Sequence, residues 1–112
     1  MDLSIIVPLY NEQESLPELT ERIAEALSEG TSYEIIFVDD GSTDASWQCI
    51  QDLRARHSYI RGIRFRRNYG KSAALYCGFE AAQGDIVVTM DADLQDDPAE
   101  IPEMMRMINQ DG

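Results

Sequence analysis

The stretch Ile86-Val87-Val88-Thr89-Met90-Asp91-Ala92-Asp93-Leu94-Gln95-Asp96-Asp97-Pro98 decides how this chain is read. A nearly unbroken apolar run ends in carboxylates, and a capped helix follows. Such a run predicts a strand buried on both faces. Side chains alternate across a strand, so Asp91 and Asp93 are expected to leave its end on the same side. Two carboxylates at 4 Å repel by roughly 1 kcal/mol in water and about four times that near a protein surface. A divalent cation turns that repulsion into attraction, and hard oxygen ligands suit Mg2+ or Mn2+. An acidic turn in a very acidic protein is the plainer reading of Asp-x-Asp alone, so the remaining residues must choose between the two.

Working outward, other apolar runs end in the same way. Leu3 to Leu9 predicts a first strand that breaks at Tyr10-Asn11-Glu12. Ser15-Leu16-Pro17-Glu18 then reads as a capping box with proline in the first turn of a helix. Leu16, Leu19, Ile23 and Leu27 follow at helical spacing, with Gly30 as the stop. Tyr33 to Val38 predicts a second strand, broken by Asp39-Asp40-Gly41-Ser42-Thr43-Asp44. Trp47, Ile50 and Leu53 mark a second helix whose apolar side packs on the sheet. His57 falls near its end, an exposed or capping position. Ile60 to Phe65 predicts a third strand ending in Arg66-Arg67-Asn68-Tyr69-Gly70-Lys71. A third helix is expected over 72–83, with Gly84 as its stop. Its small residues Ala74, Cys77, Gly78 and Ala81 share one face and allow close approach to a sheet. Asp85 to Met90 is the fourth strand. Asp97-Pro98-Ala99-Glu100 caps a last helix whose Ile101, Met104, Met105 and Ile108 are expected to face inward.

Four alternations of strand and helix imply an α/β layered fold with parallel strands and right-handed crossovers. Every polar cluster then falls after the C-terminal end of a strand, the edge along which open parallel sheets bind ligands. Four clusters on one rim make a site.

Composition narrows the partners. The chain has 112 residues, one small domain or part of a larger one, with 44% apolar and 27% charged residues. A formal charge of −12 argues against a nucleic-acid surface. No apolar run is long enough to span a bilayer, and no signal peptide precedes the first strand. Cys49 and Cys77 are far apart and form no CxxC, which suits free thiols in a reducing, cytosolic setting.

Familiar α/β chemistries can be set against the rim. A dinucleotide fingerprint requires a glycine-rich turn after the first strand, and Tyr10-Asn11-Glu12-Gln13 has no glycine. A Walker loop ending at Gly70-Lys71-Ser72 requires a glycine where Phe65 stands. A haloacid-dehalogenase-type phosphotransferase also carries Asp-x-Asp after an apolar strand, with a nucleophilic first Asp. That motif comes early in its chains and continues with Thr or Val, whereas here Gln95 stands there and the strand comes last. It remains an alternative, as does a non-catalytic nucleotide-binding module.

Ile6-Val7-Pro8-Leu9-Tyr10-Asn11-Glu12, Val38-Asp39-Asp40-Gly41-Ser42-Thr43-Asp44, Arg67-Asn68-Tyr69-Gly70-Lys71 and Asp91-Ala92-Asp93-Leu94-Gln95-Asp96 together resemble the ordered signature of family 2 glycosyltransferases with a GT-A fold. Within that family the pattern is most similar to the polyprenyl-phosphate (dolichyl- or undecaprenyl-phosphate) sugar transferases of cell-wall and surface glycan synthesis. The resemblance runs from about Leu3 to Pro102. It implies a Rossmann-like nucleotide-sugar-binding half, a mostly parallel sheet with flanking helices, and a UDP- or GDP-sugar donor. The acceptor it implies is a polyprenyl phosphate or glycan. By resemblance Pro8, Tyr10, Glu12, Val38, Asp39 and Asp40 shape the nucleoside pocket, with a carboxylate accepting N-H groups of the base. Asp91 and Asp93 hold Mg2+ or Mn2+ on the donor diphosphate, Ala92 lies between them, Gln95 is close to sugar or metal, and Lys71 reaches phosphate.

The resemblance also sets expectations about extent. Residues 1–112 are expected to be the N-terminal part of the GT-A domain, with the catalytic base, the acceptor half and any membrane segments beyond Gly112. The full-length protein is expected at the cytoplasmic face of the membrane and the present chain in the cytoplasm. The chain alone is expected to bind nucleotide and metal weakly without turnover. Its fourth strand, left as a sheet edge, is expected to promote self-association.

Overall fold

A computed structural model of the chain describes residues 1–27 and 30–111, with side chains as far as residue 108. The elements in chain order are β1 (Leu3–Leu9), α1 (Leu16–Ala26), β2 (Tyr33–Asp39), α2 (Ser46–Arg56), β3 (Ile60–Arg64), α3 (Lys71–Ala81), β4 (Ile86–Thr89), a 3-10 turn (Pro98–Glu100) and α4 (Ile101–Asp111). The four strands form one sheet in the order β3-β2-β1-β4. All three pairings are parallel: Leu3 pairs with Tyr33 and with Ile86, and Ile35 with Ile60.

Strand alternation divides the core in two. Leu3, Ile5, Val7 and Leu9 of β1 join Ile35 and Phe37 of β2 beneath Leu16, Leu19 and Ile23 of α1 and Ile50 and Leu53 of α2. On the other face Ile6, Ile36 and Val38 pack with Ala74 of α3. The chain walks from β1 to β3 in one direction, then crosses back through α3 on the opposite face to place β4 on the far side of β1. Right-handed crossovers require that change of face. The reversal leaves a switch point between the C-terminal ends of β1 and β4.

The glycines of the α3 layer have steric reasons. A Cβ on Gly78 would lie 2.4 Å from Ile6 Cγ2, so the small face of α3 does seat its backbone against the sheet. Gly84, expected as a helix stop, has a different task. α3 is capped by Ala82 in extended conformation. A Cβ at Gly84 would come within 2.5 Å of the Leu3 and Ser4 backbone. At the same end of the sheet Glu34 is buried yet charged. Its Oε2 accepts from Ser4 Oγ (2.6 Å) and the Gln83 amide (2.8 Å), and its Oε1 from Arg61 Nη1 (2.8 Å). Burial raises the Glu34 carboxyl, but the donors from Ser4, Arg61 and Gln83 outweigh it and hold the group below its ordinary value.

Several local expectations are corrected. Ser15 does not close a capping box; its hydroxyl donates backwards to the Glu12 carbonyl (3.1 Å) and carboxylate (2.9 Å). α1 is capped at Leu27, and Gly30 lies three residues on with φ +77°. The expected end of that helix at residues 28 and 29 lies outside the described residues. β4 is not buried on both faces: its residues alternate between half-buried and exposed, as suits an edge strand with no outer neighbour among the described residues. In α4, Ile101 is buried and Met105 half-buried as expected, but Met104 and Ile108 are exposed. His57 does cap α2, donating its amide to the Leu53 carbonyl.

Candidate functional site

Because all strands are parallel, the four polar clusters do share the C-terminal rim. After β1 the chain turns at Asn11, a non-glycine residue at φ +53°. That conformation is tolerable because the Asn11 side chain is fully used. Its Oδ1 accepts from the Thr43 (2.8 Å) and Asp44 (3.2 Å) amides, and its Nδ2 donates to Thr43 Oγ1 (3.2 Å). The Asn11 amide donates to Ser42 Oγ and the Glu12 amide to Ser46 Oγ. The loops after β1 and β2 are therefore one bonded unit. Sequence reasoning missed Asn11; an Asn at the break between a buried strand and a helix was its signal.

Asp39 and Asp40 are adjacent and do different work. Asp39 is fully buried, its Oδ1 accepting from the Ser42 amide (2.8 Å) while Oδ2 has no partner among the described residues. A buried acceptor without a donor is costly to maintain, which marks a position completed by something else. Asp40, also buried, accepts from the amides of Tyr69 (2.7 Å) and Gly70 (3.0 Å) and so holds the loop between β3 and α3. Directly after them, Gly41 at φ +76° lets that loop pass, since a Cβ there would meet the Arg67 carbonyl carbon at 2.3 Å.

Lys71 opens α3 and its Nζ lies 2.8 Å from Asp91 Oδ1. The hydrogen bond to Asp91, and then its charge, push the Lys71 ammonium above the ordinary lysine range. Asp91 and Asp93 are not on β4, which ends at Thr89. They occupy the turn beyond it, a turn that needs Leu94 at φ +68°. Within it the Asp91 amide donates to Asp96 Oδ2 (3.0 Å) and the Gln95 amide to Asp93 Oδ1 (3.2 Å).

These residues meet over the switch point. Pro8, Leu9, Tyr10, Asp40, Lys71 and Asp91 line one depression of about 170 Å³. A contiguous one of about 140 Å³ is lined by Pro8, Leu9, Tyr10, Glu12, Asp91, Ala92 and Asp93. Tyr10 is exposed there as an aromatic face. Of the expected site residues, three line neither depression: Val38, Gln95 and the fully buried Asp39. The Val38 side chain is buried in the α3-side core, leaving only its backbone near the rim, and the Gln95 side chain is exposed. Among the described residues no group of three His, Cys, Asp or Glu side chains is placed to hold a metal ion. Two carboxylates, Asp91 and Asp93, are nevertheless the donor set suited to Mg2+ or Mn2+ bound jointly with substrate phosphates.

The glycosyl transferase family 2 model matches residues 4–112. The chain belongs to glycosyl transferase family 2. Membership removes the haloacid-dehalogenase-type reading of Asp91. The undecaprenyl-phosphate 4-deoxy-4-formamido-L-arabinose transferase of Pseudomonas fluorescens (strain SBW25) is 50% identical over 105 residues, 92% of this chain and 31% of the relative. The chain spans about a third of the length of the curated relatives it matches. Among solved structures, the mannosyltransferase PcManGT from Pyrobaculum calidifontis, in complex with GDP-Man and Mn2+, is 30% identical with a TM-score of 0.74, over 81% of this chain and 27% of that one. S. aureus TarS shares the fold at a TM-score of 0.80 and 24% identity, over 98% of this chain and 33% of that one. The family 2 architecture here is the GT-A sheet with its flanking helices. Among the described residues no helix is long and apolar enough to cross a membrane.

Proposed function

We propose that residues 1–112 are the donor-binding, N-terminal part of a glycosyltransferase that moves a sugar from a nucleoside diphosphate to a polyprenyl phosphate. The observation that carries this reading is the convergence of Tyr10, Asp40, Lys71 and Asp91 on one depression at the switch point. An aromatic face, a cation and carboxylates suit the base, the diphosphate and a bridging metal of one ligand. The relative from P. fluorescens, named as an undecaprenyl-phosphate transferase, supports the acceptor class.

In this reading Tyr10 and Pro8 flank the base, Glu12 is placed for ribose hydroxyls, and the unpartnered Asp39 Oδ2 accepts an N-H of uracil or guanine. Asp91 and Asp93 would hold Mg2+ or Mn2+, whose Lewis acidity stabilises charge developing on the leaving diphosphate. Lys71 leaves Asp91 for the diphosphate, so the positive charge in the pocket stays beside the leaving group. The general base for the acceptor lies outside these 112 residues, and full-length protein works at the cytoplasmic membrane face. This chain binds the donor without turnover.

Calorimetric titration with UDP- and GDP-linked sugars, with and without Mn2+, tests the proposal. Metal-dependent binding lost in both Asp91→Ala and Asp93→Ala is expected. Binding indifferent to both substitutions would instead establish a nucleotide-binding module without transferase chemistry.

A further inference from the structure

The charge of −12 conceals a strong asymmetry. Residues 53–79 contain seven of the nine basic residues and none of the 21 acidic ones. That segment carries +7 and the remainder −19, which together give the chain's −12. In the fold it comprises the end of α2, the edge strand β3, the rim loop and most of α3. Among the described residues its ion pairs are Arg61 with Glu34 and Lys71 with Asp91; Arg66 and Arg67 are exposed and in none.

Exposed aromatic rings accompany these cations. Tyr69 is 60% exposed, Tyr76 65% and Phe79 52%. The Arg67 guanidinium lies 5.9 Å from the centre of the Tyr69 ring. Tyr76 and Phe79 are one helical step apart on α3, on the side turned away from the buried Ala74 and Gly78. The core does not explain them: the sheet side of α3 is already filled. A solvated helix face normally carries charge, yet here Glu80 is the one charged residue of α3 after Lys71.

We propose that the rim loop and outer face of α3 form a docking surface for an anionic lipid bilayer, with Arg66 and Arg67 on headgroup phosphates and Tyr69, Tyr76 and Phe79 at the interface. Charge complementarity selects this occupant. The chain outside residues 53–79 carries −19 and is repelled by an anionic bilayer. Arg54, Arg56 and Arg64 lie on the α2 side of the sheet, so among the described residues Arg66 and Arg67 are the cations outside ion pairs that draw the α3 side towards it. Tyrosine and phenylalanine beside arginine suit the headgroup boundary, where rings are half buried and cations stay wet. Nucleic acid shares the phosphate chemistry, but a duplex offers no apolar layer to Phe79. The inference does not depend on the transferase reading. Docked this way, the loop that leads into Lys71 lies against the lipid surface.

The test is co-sedimentation of the chain with phosphatidylcholine vesicles, with and without about one-third phosphatidylglycerol. Binding is expected only with the anionic lipid and should fall steeply as salt shortens the screening length. Arg66→Ala with Arg67→Ala should weaken it about 30-fold. Tyr76→Ser with Phe79→Ser should weaken it several-fold while leaving circular dichroism unchanged. Arg106→Ala on α4 should leave it unaltered. Equal binding to neutral vesicles, indifference to the arginine pair, or no binding by the folded chain would overturn the proposal. So would binding to a short DNA duplex that equals vesicle binding and ignores the aromatic pair, since that marks a general polyanion site.

Discussion

Replacing Asp40 separates a ligand from a scaffold. Its carboxylate accepts the Tyr69 amide at 2.7 Å and the Gly70 amide at 3.0 Å, in a position 6% exposed. Hydrogen bonds to a charged group contribute about 1.5–3 kcal/mol each, so the pair sets an upper range of about 3–6 kcal/mol. The loop is itself exposed at Tyr69, and amides released there can reach water. The lower half of the range therefore applies, and Asp40→Ala should cost about 3–4.5 kcal/mol. For a domain near this size, 1 kcal/mol shifts Tm by roughly 4–8 °C, so melting should fall by roughly 12–36 °C. Asp40→Asn keeps one carbonyl acceptor and should lose about half as much. Urea unfolding supplies the stability, and amide hydrogen exchange at Tyr69 and Gly70 supplies the location. The reasoning is refuted if Asp40→Ala stays within about 0.5 kcal/mol of the parent, the ordinary range of a neutral surface change, with both amides still protected.

Lys71→Met removes the cation that competes for Asp91, so Mn2+ binding without nucleotide should strengthen by about two- to five-fold, the scale of an exposed ion pair. Nucleoside diphosphate binding should weaken in the same variant; electron paramagnetic resonance of free Mn2+ reads the first effect, and unchanged metal affinity contradicts it. Glu34 is held below its ordinary value of 4.5. A carboxyl depressed in the folded state stabilises above its unfolded value and loses that contribution as pH falls through the folded one. The stability gap between the parent and Glu34→Gln, taken from urea midpoints, should therefore narrow as pH drops below 4.5, and a constant gap would count against the buried network. Gly78→Ala drives a methyl to 2.4 Å from Ile6 Cγ2 and should cost about 1–3 kcal/mol by overpacking. An equally stable Gly78→Ala protein, measured in the same urea series, would show that α3 can lift off the sheet freely.

The parallel α/β sheet and the rim were legible because strand runs such as Leu3–Leu9 and Tyr33–Asp39 are largely apolar on both faces and break at polar clusters; the strand order was not. The β4 run looked equally buried in sequence. Its exposure depends on which strands flank it, and no local pattern encodes that. The apolar spacing of Met104 and Ile108 predicted a helix correctly and its buried side only in part, since periodicity records a face without naming its partner. Asp91 and Asp93 were legible as a pair. Their place in a turn beyond the strand follows from Leu94 at φ +68°, a conformation leucine does not announce. Gly84 was readable as special, but the close approach of β1 that requires it is a tertiary fact. Glu34 inside an apolar strand was a visible anomaly; its partners Ser4, Arg61 and Gln83 are distant in sequence and meet only through the parallel pairing.

The bonding around Asn11 divides the pocket mechanically. Seven side-chain-to-loop bonds, five through Asn11, one through Ser46 and one from the Ala45 amide to Gln13 Oε1, lock the turn after β1 to the turn after β2. The other two walls, the rim loop before Lys71 and the turn of Asp91, are tied on by the Asp40 carboxylate and one exposed ion pair. A nucleotide bound as proposed would thus meet one side already frozen and another still free to adjust. Ordering entropy on binding falls almost wholly on the second side. In the proposed donor-binding role, the base would meet a fixed template while the charged end of the ligand would assemble its own surroundings.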